Sequence, residues 1–302
     1  MNWNIAHRIA SIAAVQAHRD LGVDRDEYID VYAALGEAGV IGMARRLPRL
    51  FGMYASPQDE GPAVLLNANL DIVAQRHTAA HELGHHRLQH GTAYDNELDR
   101  TARWGDGTWP DEEKLAEAFA AWFLMPPPAV LSTLKKIGVS RPRVPEHAYQ
   151  MARWLGTSYA GTVHHLHRLR LLSQEQKARW LKIKPATIKA TLAERAVGGD
   201  VHVHVINTTA HGMTLRVDVG DLIVLRAADA HYELLPDALH STDGLVGQLF
   251  WDDGAPPAAA EVTDALKGTA VVAVRVPGAI DLLQFTVERQ SPRVGDCRLW
   301  PS

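Results

Sequence analysis

The sequence predicts an α+β protein, with a helix-rich N-terminal part holding one small sheet, then a basic helical segment, then an all-β, sandwich-like C-terminal part. Three observations carry this reading. Apolar residues recur every three to four positions through most of the chain up to Arg195. Between Val40 and Leu70 that spacing gives way to β-prone runs around a turn. After Gly198-Gly199-Asp200 the pattern becomes alternation, as in VHVHVI, MTLRVDVG, DLIVL, TAVVAVRV and DLLQFTVE, with turn signals between the runs. The expected parts are residues 1–135, 136–196 and 197–302.

Element by element, residues 3–20 and 24–38 read as helices, the first with Ile5, Ile9, Ile12 and Val15 at helical spacing. The runs VIGMA and AVLLNANL flank the turn-rich ASPQDEGP, which points to a small antiparallel sheet. Gln75 to His90 is helical again. GTAYDNELDRTARWGDGTWP reads as a loop, and Asp111 opens a helix that must stop near the prolines at 126–128. Residues 144–195 read as successive helices broken at Gly156 and near Ser173, and APPAAAE at 255–261 reads as a loop.

Composition bounds the function. With 46% hydrophobic and 22% charged residues among 302, the chain is not that of a disordered protein. No apolar run approaches the ~18–20 residues of a membrane helix, and the N-terminus lacks a basic leader with a long apolar core. The single cysteine, Cys297, excludes an intrachain disulfide. A soluble, cytoplasmic protein without membrane partners is expected. Charge is uneven: residues 141–195 carry a balance of +8 in a chain of net charge −4, while from Val197 onward fourteen acids face seven bases. Such asymmetry points to segments with different partners.

The informative segment is RHTAAHELGHH at 76–86, which contains His81-Glu82-Leu83-Gly84-His85. On a helix, positions i and i+4 share a face, so His81 and His85 can bind one Zn2+. Glu82 stands beside them, placed to take a proton from a zinc-activated water. Catalytic zinc commonly has three protein ligands, and the helix DEEKLAEAFAAWFLMP offers Glu113 and Glu117, four apart on one face. One of them as ligand and the other hydrogen-bonded to a ligating histidine is a sensible pair. The bland alternative is two surface acids of an amphipathic helix.

RxTxAHELGHH followed by ExxxEAFAAxFLMP resembles the ImmA/IrrE family of bacterial and phage metallopeptidases. The resemblance spans roughly residues 25–180 and is strongest over 76–126. It implies a zincin-like peptidase domain, and it selects Glu113 as third ligand, twelve residues before Met125. Two positions depart from the family pattern: Glu117 stands where Asn or Asp is usual, and His77 where an aromatic is usual. Over 144–180 the likeness continues weakly, with Leu155-Gly156-Thr157-Ser158 in place of the turn of a helix-turn-helix unit.

Other residues read less specifically. Tyr54, Tyr94 and His147 are candidates for the donor that stabilises an oxyanion. His77 is expected to pack or face solvent, and His86 to point away from the metal. His90 extends the same helix. His164, His165 and His167, beside Arg168 and Arg170, form either a solvated basic face or a phosphate contact. His202 and His204 are expected to be exposed on one strand face. Cys297, in PRVGDC, is a candidate inhibitory thiol that would cap an open zinc position, with an inert thiol as the plainer reading.

The resemblance implies a site-specific zinc endopeptidase whose substrate is a helix-turn-helix repressor encoded nearby, with single-stranded DNA as a candidate activating signal. The C-terminal β part then has a sensor or regulatory role. The alternative is a zinc-containing regulatory module that binds DNA or protein without cutting it.

Overall fold

Asn2 caps the first helix by accepting from the backbone N–H of Ile5, and α1 runs Trp3–Asp20. The structure, a computed structural model, describes residues 1–96, 109–226, 233–241, 258–264, 266–275 and 282–290. They fall into two units, one of residues 1–130 with 155–158, the other of residues 131–154 with 159–290.

In the first unit α1 packs on α4 (Asp111–Leu124). The face it buries is Ala6, Ala10, Ala14 and Ala17. Ile5, Ile9 and Ile12, which give the helix its apolar spacing, are exposed. Alanine permits a short distance between helix axes, and the larger isoleucines are left on the outer side. His18 closes the contact: its Nε2–H donates to the Phe123 carbonyl at 2.9 Å and its ring stacks on Phe123 at 4.7 Å. The helix expected over 24–38 is shorter, α2 at Val31–Glu37. It starts where the Asp30 carboxylate accepts from the N–H groups of Tyr32 and Ala33.

The small sheet is mixed rather than antiparallel. Its strands are β1 (Ile41–Arg45), β2 (Leu50–Ala55), β3 (Ala63–Asn67) and β4 (Ala93–Asn96), in the order β1-β3-β2-β4. ASPQDEGP joins β2 to β3 as an antiparallel pair, while β1 lies parallel to β3. β2 was hidden because LFGMYA has glycine at its centre and no clean alternation. β4 lies in the segment expected to be a loop. The metal-motif helix α3 is Ile72–Arg87, capped by Asp71. Arg76 on α3 is buried, donates to the carbonyls of Ile29 and Gly156, and stacks 3.8 Å from the Tyr28 ring centroid.

α5 (Pro127–Lys136) begins at a proline, which suits a first helical turn. α6 (Pro145–Leu155) and α7 (Tyr159–Arg168) are separated by a turn whose Gly156 has φ +64°, the left-handed conformation that favours glycine. α8 (Gln174–Trp180) starts with a Ser173/Gln176 capping box, and α9 is Pro185–Ala193. Lys189 of α9 donates to the carbonyls of Gly198, Gly199 and Val201 at 2.7–3.0 Å, which pins the glycine linker.

The strands that follow are β5 (Val203–Ile206), β6 (Thr214–Val217), β7 (Leu222–Leu225), β8 (Glu233–Ser241), β9 (Ala258–Glu261), β10 (Thr269–Arg275) and β11 (Leu282–Arg289). They form a three-stranded sheet, β5-β7-β9, and a four-stranded one, β6-β11-β10-β8. The chain is thus α+β. β9 lies in the stretch expected as a loop. No single helix among the described residues is long and apolar enough to cross a membrane.

The packing of α1 is testable by thermal unfolding. Ala10→Leu overpacks the α1–α4 contact and costs about 1–3 kcal/mol, whereas Ile12→Ser stays within about 0.5 kcal/mol of the parent. The opposite order would place the isoleucine face inside.

Candidate metal centre

Two helices build the site. His77, His81 and His85 stand at i, i+4 and i+8 of α3, so they form a stripe along one face. Glu113 and Glu117 stand four apart on α4. The helices approach closely where Gly84 meets Ala116: a Cβ added at Gly84 would lie 3.1 Å from Ala116 Cα and from Phe119 Cδ1. That closeness lets the glutamates reach the imidazoles.

His81 Nε2 lies 3.2 Å from Glu113 Oε2, His85 Nε2 lies 3.5 Å from Glu113 Oε1, and the two Nε2 atoms are 3.1 Å apart. His81, His85 and Glu113 can bring one ligand atom each within 4.8 Å of one another, and they are the cluster among the described residues that could hold a metal ion. The donor set of two imidazoles and a carboxylate is one that suits zinc. Bonds of about 2.0–2.1 Å in a tetrahedral site keep donors about 3.3–3.4 Å apart, so the separations observed here fit that ion.

Metal binding needs neutral imidazoles and an ionised carboxylate. Burial lowers His85, outweighing the hydrogen bond to Glu113 that would raise it. Burial alone would raise Glu113, but the hydrogen bonds and charges of His81 and His85 hold it well below the usual carboxylate range. Glu117 behaves likewise: burial opposes ionisation, yet His77 and His81 keep it low.

His81 and His85 each have an outer neighbour, of the kind that orients a metal-ligating imidazole. His81 Nδ1 is 3.5 Å from Glu117 Oε2. With Nδ1 turned toward that carboxylate, Nε2 is the atom of His81 that faces His85 and Glu113. His85 Nδ1 lies 3.0 Å from Nδ1 of His90, which is buried just past the helix end. Burial, with the neighbouring His85, pushes His90 down to about 4. The sequence placed His90 on the helix without seeing this contact, since only the turn at Gln89, with φ +57°, brings it back.

Glu82 is fully buried. It turns toward β2, where a Cβ on Gly52 would meet Thr78 Cγ2 at 2.5 Å and Glu82 Oε1 at 2.8 Å. Gly52 therefore makes room for the carboxylate.

Of the oxyanion candidates, Tyr54 is buried, with its hydroxyl 3.0 Å from His86 Nδ1. Tyr94 is exposed on the edge strand β4. His147 belongs to the second unit, where it accepts from the Arg143 N–H. His77 is not simply a surface residue, because its Nε2 lies 2.9 Å from Glu117 Oε2. His165 is buried and His167 meets the Leu172 carbonyl at 3.0 Å, which departs from a solvated basic face. His204 on β5 is buried too, paired with Asp221 at 2.9 Å, and His202 is half-buried just before the strand, so the expected exposed pair on one strand face is corrected. Cys297 lies outside the described residues.

Residues 50–141 match the family model of peptidase M78, described as an IrrE N-terminal-like domain, which bears out the resemblance to the ImmA/IrrE metallopeptidases over that stretch. No curated protein matches the chain. Among solved structures, the chain is similar at 16% identity to a cysteine protease inhibitor from Entamoeba histolytica, over 31% of this chain and 100% of that one, with a TM-score of 0.19. A likeness that low carries no argument.

Metal binding is checked by calorimetry or thermal shift. Zinc at a hundredfold excess over its Kd stabilises the folded protein by about 2.7 kcal/mol, and His85→Ala or Glu113→Ala removes the shift. An equal shift in the His85→Ala variant would rule out this ligand set.

Proposed function

We propose that this chain is a zinc-dependent endopeptidase that cuts one dedicated protein, a helix-turn-helix repressor encoded nearby. Cleavage would release genes of stress response, mobile-element induction or anti-phage defence. One observation carries the peptidase reading: the convergence of His81, His85 and Glu113, with a fully buried Glu82 on the helix that carries both histidines.

In this reading His81, His85 and Glu113 hold the zinc, and Glu117 orients His81 through Nδ1. When bound, zinc supplies Lewis-acid chemistry, polarising a carbonyl and acidifying water. The Glu82 carboxylate takes the proton of the attacking water and returns it to the departing amine nitrogen. Its place against Gly52 fixes the carboxylate before substrate arrives, so little reorganisation is needed during the reaction.

The match of residues 50–141 to an IrrE N-terminal-like peptidase domain supports the peptidase, and the repressor substrate is what the resemblance to the ImmA/IrrE family implies. The +8 balance of residues 141–195 supports a nucleic-acid signal, single-stranded DNA. The C-terminal part, with its two sheets, would serve as sensor or regulator. The single cysteine supports a reducing compartment, the cytoplasm.

The competing reading is a zinc-containing regulatory module without proteolysis, reading DNA through its helix-turn-helix-like pair. Such a pair presents its second helix to the groove, yet no residue of α7 is exposed.

The test is cleavage of the neighbouring repressor, with and without single-stranded DNA, by wild type and Glu82→Gln. The expected result is cleavage by wild type and a rate about 10²–10⁴-fold lower in Glu82→Gln, with zinc content unchanged. Zinc-loaded wild type that leaves the repressor intact in both conditions would favour the regulatory module.

A further inference from the structure

The histidine stripe of α3 extends one turn beyond the metal ligands. His77 lies four residues before His81, about 6 Å along the helix, and faces Glu117 rather than Glu113. Glu117 Oε2 is 2.9 Å from His77 Nε2 and 3.5 Å from His81 Nδ1. The stripe and the two glutamates thus form a ladder, in which Glu113 bridges His85 to His81 and Glu117 bridges His81 to His77.

The Glu117 side chain is 6% exposed and that of His77 24%. A carboxylate so buried persists only where donors meet it, and here the His77 imidazole hydrogen-bonds it while His81 Nδ1 lies 3.5 Å away. Of the two contacts the one to His77 is the shorter, so His77 sets where the carboxylate sits. Without that contact Glu117, with three rotatable bonds, is free to turn away from a ligand histidine it meets only at 3.5 Å.

We propose that His77 is a positioning residue of the metal centre. Its Nε2–H holds the Glu117 carboxylate against His81 Nδ1, and so keeps the His81 Nε2 lone pair aimed at Glu113 and His85. This role rests on the metal-centre reading given above. It explains why an imidazole that touches no ligand atom occupies the α3–α4 face.

The experiment measures zinc affinity by competition with a chromophoric chelator, and the visible absorption of the cobalt-substituted protein. It uses wild type, His77→Phe, His77→Gln, Glu117→Gln and the double variant His77→Phe/Glu117→Gln. His77→Phe keeps the ring volume and loses the donor, while His77→Gln keeps an N–H at the same reach. The expected result is zinc affinity about tenfold weaker in His77→Phe, the low end for an outer partner, with an altered cobalt spectrum. His77→Gln restores both, and adding His77→Phe to Glu117→Gln has no further effect, because the two residues act as one unit. Metal-free thermal stability of His77→Gln stays at the wild-type value.

Wild-type affinity and spectrum in His77→Phe would overturn the positioning role and leave the metal centre intact. So would full additivity in the double variant, or a second zinc equivalent that His77→Phe abolishes. Failure of wild type itself to bind zinc would overturn the metal centre, and His77's role with it.

Discussion

Three imidazoles on one helix face two carboxylates on another across a contact that is tight at its closest point, Gly84 against Ala116. The rest of the first unit depends on that constraint. Gly84 against Ala116 brings α3 and α4 together, and the glutamates, which would be costly in an apolar interior, find donors at once. The alanine face of α1 then packs on α4 from another side. Both contacts of α4 rely on small residues, so it can be buried among neighbours while carrying charge inward.

The same constraint divides labour among neighbouring residues of α3. His81 and His85 turn toward α4, and Glu82, one residue along, turns toward the sheet. A helix separates adjacent side chains by about 100°, so the candidate ligands and Glu82 arrive from one short sequence without competing for space. Gly52 on β2 completes the arrangement, since any side chain there would collide with the carboxylate. The outer partners differ as well: a carboxylate behind His81, and a neutral imidazole behind His85. A carboxylate partner makes its imidazole the more basic ligand, so the two histidines are not equivalent toward a metal.

In the second unit charge is handled differently. Lys189 spends its donors on three carbonyls of the glycine linker, and His204 is buried with Asp221 beside it. Part of the basic balance of residues 141–195 is therefore consumed inside that unit, as with Arg141, which caps the carbonyls of Arg170 and Leu171.

The sequence by itself determined the helical motif, the helix carrying Glu113 and Glu117, the turn at Gly156 and the change to strands after Gly198. Each of these is written in local spacing: i and i+4 for shared helix faces, alternation for strands, glycine for a left-handed turn. It did not determine which face of α1 is buried, because helical spacing marks a stripe of isoleucines without saying that a neighbour needs alanine. Nor could it pair β1 with β3 in parallel, find β2, or see that His77 and His90 stand behind the candidate ligands His81 and His85. Those features join residues 5 to 40 positions apart, and only the approach of α3 to α4, together with the turn at Gln89, decides them.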